Sequence, residues 1–148
     1  MAETLGMLCD KLTIVKLKQY HSENKTSLDS LALQASQLQE EIDTYISDAV
    51  NGQIDPSKMV FASNKVYKEE GNKVSEVAGG FGEVIYQLAD VNCRLWHEQE
   101  KVYEFENVPA GEKDAVVKQL AVLNLERNKC IDAINNRFAS LIINKNNR

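Results

Sequence analysis

The chain has 148 residues, 43% of them hydrophobic and 26% charged, with only two prolines and seven glycines. That is the size and make-up of one globular domain over 1–148, with a core of its own and long helices rather than a turn-rich β fold. A formal charge of −5 provides no field to attract nucleic acid or an anionic membrane surface, and no apolar run reaches the ~20 residues of a bilayer span.

Helical periodicity then organises the chain. Leu5, Leu8, Leu12 and Val15, widened by Ile14 and Leu17, predict a first helix over 3–22. The polar stretch Ser22-Glu23-Asn24-Lys25 breaks it, and Thr26 with Asp29 has the spacing of a capping box for the next helix. That second helix carries Leu28, Leu31, Ala35, Leu38, Ile42, Tyr45 and Ala49, an alternation of three and four suited to a shallow helix–helix crossing, and Asn51-Gly52 ends it. Asp55-Pro56 reads as a further helix start, with Met59, Val60, Val66 and Tyr67 on its stripe and an end near Gly71-Asn72.

Ala78-Gly79-Gly80-Phe81-Gly82 predicts a break, a hinge or a helix start, because each interior glycine costs a helix about 1 kcal/mol. A long helix then runs to about Phe105 on a stripe of Phe81, Ile85, Leu88, Leu95 and Val102. Val108-Pro109-Ala110-Gly111 turns the chain into a last helix striped by Val117, Leu120, Ile131, Ile134, Phe138 and Leu141. The expected fold is therefore all-α, an up-down bundle of four to five amphipathic helices ending in a long pair.

The informative residues are polar ones on apolar stripes. The heptad-like series through the long helix includes Asn92 and Gln99, and the series through the last helix includes Asn124 and Arg127. A buried amide or guanidinium is costly without hydrogen bonds, so Asn92 is expected against Asn124 or Arg127, with Asp90, Asp132 or Asp10 supplying a carboxylate. Such a layer either fixes helix register or lines a cleft for a polar or anionic small molecule held by Arg127. Trp96 and His97 stand beside it, the indole as a core or interface anchor and the imidazole as a solvated group or a general base.

Other chemistry lacks its residues. His21 and His97 have no glutamate three positions earlier, as a di-iron bundle requires, and the three cysteines and two histidines are too scattered for a zinc site. Glu40-x-x-Asp43 has no matching Glu-x-x-Glu pair with which to share magnesium. Gly79-Gly80-Phe81-Gly82 has neither the lysine nor the preceding strand of a phosphate loop. No catalytic residue, metal or cofactor is therefore assigned. Cys9, Cys93 and Cys130 sit within helical patterns and read as reduced, buried thiols, and with no secretion leader evident the expected compartment is the cytoplasm.

Three segments carry a resemblance. Leu5-Gly6 through Asp10-Lys11-Leu12-Thr13-Ile14 resembles the opening of small bacterial proteins known as domains of unknown function. Asn92-Cys93-Arg94-Leu95-Trp96-His97-Glu98-Gln99-Glu100-Lys101 and Leu123-Asn124-Leu125-Glu126-Arg127-Asn128-Lys129-Cys130-Ile131-Asp132 resemble two helices of a related set, with Lys129 standing where that set has an acid. The resemblance implies a helical protein linked to surface-polysaccharide assembly and no particular activity. It also singles out Asp10, Asn92, Trp96, His97, Asn124, Arg127, Asn128 and Asp132 as the polar cluster to examine. Two functions stand: a non-catalytic binding or scaffold protein, expected to form a homodimer or hold a protein partner, and a small-ligand binder or enzyme acting on a phosphorylated or sugar-nucleotide substrate. In the second, Arg127 would hold the anion and His97 or Asp10 would move protons.

Overall fold

A computed structural model describes residues 3–61 and 77–147. Among them are four α-helices: α1 (Leu5–His21), α2 (Lys25–Val50), α3 (Phe81–Tyr103) and α4 (Lys113–Asn146). The chain turns tightly between α1 and α2, so these two run antiparallel. The pairs Phe81–Phe138 and Arg94–Glu126 show α3 antiparallel to α4. Gly6–Asn135 and Asp10–Arg127 show α1 antiparallel to α4, completing an up-down-up-down bundle. The shortest helix is its hub: α1 packs against α2, α3 and α4, whereas α2 packs closely only along α1.

Local chemistry fixes the ends. Thr4 caps α1 by accepting from the Met7 N–H, while Lys18 and His21 in its last turn suit the dipole. For α2 the cap is Asn24, which accepts from Ser27, rather than the Thr26–Asp29 box; the helix already begins at Lys25, ahead of that box. It ends on Gly52 at φ 79°, the left-handed residue that lets Asn51 and Gly52 donate back to Ser47 and Ala49. Lys145 from the end of α4 donates to the Val50 carbonyl at 3.0 Å.

Where a helix is expected to start at Pro56, the described residues form one 3-10 turn, Pro56–Lys58, capped by Asp55. Met59, Val60 and Phe61 lie outside any helix, with Met59 plugged into the core, and the rest of that stretch lies outside the described residues. Of the glycine segment, 79–82 supply a helix start: Gly80 caps α3, and Arg137 on α4 holds the approach by donating to the Val77 and Gly79 carbonyls.

The core lies between α3 and α4, where Val84, Leu88, Val91 and Leu95 meet Leu123, Cys130, Ile131, Ile134, Phe138 and Ile142, and Leu5 closes it from α1. The stripes depart from the expected ones at their ends. Val117 and Leu141 are 56% and 57% exposed, while Val116 and Ile142 are buried; Val84 replaces Ile85. A strict three–four alternation advances 3.5 residues per turn, so on a straight helix of 3.6 it drifts about 20° per heptad. Over the 34 residues of α4 that drift carries the outermost positions out of the core.

Candidate functional site

Three of the expected polar residues meet. Asp10 on α1 is buried, and its Oδ1 accepts from Asn92 Nδ2 of α3 and from Arg127 Nε of α4, both at 2.9 Å. Arg127 Nη2 reaches Asp10 Oδ2 at 2.5 Å, so guanidinium and carboxylate pair through two parallel bonds. One carboxylate thus ties three helices together. The hydrogen bonds that Arg127 donates to Asp10 outweigh the burial that opposes its charge, and raise the guanidinium pKa further. Asp90, an alternative partner, instead pairs with Arg94, which also reaches Glu126.

The other expected members separate. Asn124 and Gln99 are exposed on outer faces of their helices: Leu123, one residue before Asn124, takes the core position in α4, and Gln99 lies near the end of α3. His21, the last residue of α1, stacks on Trp96, so the turns of α3 beyond it have only α4 to pack against. His97 is likewise exposed. Asn128 is half-buried beside the triad, and Asp132 is half-buried on α4. The cysteines are not uniformly buried: Cys130 is, Cys9 is half-buried and Cys93 is exposed, since it lies on the face of α3 opposite the core.

A second interhelical contact escaped sequence reasoning. Asn135 is 2% exposed, and its Oδ1 accepts the Gly6 N–H at 2.7 Å, satisfying a first-turn donor of α1. A Cβ at Gly6 would strike the Ile131 carbonyl oxygen and come within 2.8 Å of Asn135 Oδ1, so glycine is needed for the approach. Asn135 falls between Ile131 and Phe138 at helical spacing, a polar residue on the apolar side, and that was the available signal. Its Nδ2 and the Tyr45 hydroxyl are the buried side-chain atoms without a partner among the described residues.

Comparison with known protein families, with curated proteins and with solved structures finds no match for this chain. The chemistry must be read from its own clefts.

Because α2 touches the bundle mainly through α1, a cleft opens on either side of it. The first, of about 690 Å³, lies between α1, α2 and α4 and is the more polar of the two: Lys11, Lys18, Gln34, Gln37, Glu41 and Asn128 line it, with the Asp10–Arg127 pair at its edge. Its charges are largely spent on one another, Arg127 on Asp10 and Lys11 on Glu3. The second, of about 1000 Å³, lies between α1, α2 and α3. Leu12 and Leu17 form its floor, Ala32 and Ala35 one wall, and Ala89, Cys93 and Trp96 the other. The stacked rings of His21 and Trp96, 4.8 Å apart and 11° from parallel, close one end. Among the described residues no group of three or more His, Cys, Asp or Glu side chains is placed to hold a metal ion, and no helix is long and apolar enough to cross a membrane.

Proposed function

We propose that the protein is a non-catalytic binding module: a bundle locked by the Asp10–Asn92–Arg127 layer that offers the apolar groove beside Trp96 to a protein partner. The observation behind this reading is that the charged cluster satisfies itself. Asp10 absorbs the Arg127 guanidinium and the Asn92 amide, so the residues best suited to hold a substrate are used to hold helices. The larger and more apolar opening lies on the other side of α1. On the α2 seam, Leu31 and Ala49 are buried and Tyr45 packs on Phe138 of α4, so we read the groove rather than this seam as the surface for a partner. The family resemblance adds a setting, an accessory to surface-polysaccharide assembly in a bacterial cytoplasm.

A small-ligand reading has one observation in its favour: the Arg127 side chain remains 31% exposed at the edge of the polar cleft, next to Asn128. One experiment separates the two. Thermal unfolding is followed with sugar nucleotides, inorganic phosphate and divalent cations in turn. The binding-module reading expects a flat response. A ligand present at a hundred times its dissociation constant would add about 2.7 kcal/mol, and such a shift, abolished in Arg127→Met, would replace this proposal with the ligand reading.

A further inference from the structure

The two halves of α2 are held differently. The second half is pinned to α4: Ile42, Tyr45 and Ala49 join the core cluster, the Tyr45 and Phe138 ring centroids lie 6.1 Å apart, and Lys145 donates to the Val50 carbonyl at 3.0 Å. The first half, residues 25–41, adds nothing to that cluster among the described residues and buries only Leu31. Leu33 is 63% exposed, and the Gln34 amide donates to Ser30 within the helix itself.

Both clefts flank this first half. Gln34, Gln37, Leu38 and Glu41 form the α2 wall of the polar cleft, and Ala32, Ala35 and Gln39 form that of the apolar groove. Its close neighbour is α1, so the narrow seam of Leu28, Leu31, Ala35 and Leu38 is what holds it down. The sequence gives little help, because Thr26, Ser27, Ser30 and Ser36 are weak helix formers and a segment this short owes its helix mainly to packing. Segments with few buried apolar contacts are the ones that open without global unfolding. The turn at 22–24 ties one end of this segment and the pinned half ties the other, so it can open only by unwinding, not by swinging out as a rod.

We propose that residues 25–41 are a lid on α1, which undocks and unwinds as a unit in the folded protein while 42–50 stay pinned to α4. Opening joins the polar cleft and the apolar groove into one trough floored by α1, with Leu12, Ile14, Val15 and Leu17 uncovered. This goes beyond the binding-module reading and holds whatever the groove binds.

Hydrogen exchange of the intact protein, resolved amide by amide, tests the lid. Amides 29–41, which are bonded within the helix, should show at least roughly tenfold less protection than 46–50 of the same helix and than Leu88 in the core. Their exchange should also rise less steeply with urea, since a local opening exposes less surface than global unfolding. Ile134→Val then separates the two kinds of opening. It weakens packing between α3 and α4 and should speed exchange at Leu88 several-fold, whereas 29–41 keep their rates, because the opened protein retains that packing. Equal protection along 29–50, or equal acceleration of 29–41 and Leu88 in Ile134→Val, would mean that α2 opens only with the whole bundle and would overturn the lid. Weak protection through 46–50 as well would overturn the pinned half, and with it the proposed unit.

Discussion

The face of α1 that carries Asp10 and the face that carries Leu12 and Leu17 meet their neighbours in opposite ways. On the first, a buried carboxylate is met by a guanidinium and an amide from two other helices, and Gly6 brings the backbone onto α4 close enough for Asn135 to take its N–H. On the second, apolar side chains line an open groove between α2 and α3. Polar groups that are buried must be satisfied and therefore specify their partners one by one, whereas apolar surface accepts any complementary shape. The polar face accounts for how the helices register; the apolar groove is the larger of the two openings beside α1.

The closed face is the one to break first. Arg127→Met leaves the Asp10 carboxylate, whose side chain is 6% exposed, without its cation, and should cost about 3–5 kcal/mol in urea unfolding at neutral pH. The double variant Asp10→Leu/Arg127→Met should recover most of the loss, because neither charge is then stranded. A single-variant cost below about 1 kcal/mol would mean that the triad is no lock.

Gly6→Ala comes next. Alanine favours a helix by nearly 1 kcal/mol, yet here its methyl meets the Ile131 carbonyl and Asn135, so a net loss of about 1–3 kcal/mol is expected by thermal or chemical unfolding. A stabilised variant would show that α1 can move off α4 freely.

Alkaline titration gives a smaller effect. Burial, and then the neighbouring Asp10, pushes the Cys9 thiol up to about 11; burial, and then Glu126, does the same for Cys130, against an ordinary value of 9.0. A raised thiol pKa contributes stability that is complete below the unfolded value and is lost as pH climbs through the folded one. The unfolding free energy from urea titrations should therefore fall between about pH 9 and 11, by an amount on the order of 2 kcal/mol for Cys130, and Cys130→Ala should flatten the decline. Cys93, exposed in the groove, should react first with a thiol reagent near neutral pH. On the open face itself, Tyr86→Ser or Tyr103→Ser should leave stability within about 0.5 kcal/mol of the parent, since both rings are largely in solvent.

Much of this was legible in the residues. Each α2 seam position from Leu28 to Ala49 is at least half-buried, because a helix with one main neighbour keeps a narrow seam that a three–four alternation describes well. The pairing of Asn92, Asp10 and Arg127 was accessible for a similar reason: a charge near the centre of a stripe needs a partner, and few were available. Gln99 misled because it lies near the end of α3, where packing partners run out; in α4 the buried position is Leu123, one residue before Asn124, and the alternation did not predict that. Gly6 with Asn135, and His21 with Trp96, were out of reach. They depend on how two helices far apart in sequence are set against each other, and periodicity along one helix carries no information about that.

The ionic link between α1 and α4 also sets a timetable. Asp10 and Arg127 are 117 residues apart, and at about 5–20 residues per second a ribosome needs roughly 6–25 s to make the second after the first. Throughout that interval α1, the helix on which the other three converge, has been synthesised but has no α4 to dock on. It must wait with Leu5 uncovered, so the nascent chain should be a client for holding chaperones until α4 emerges.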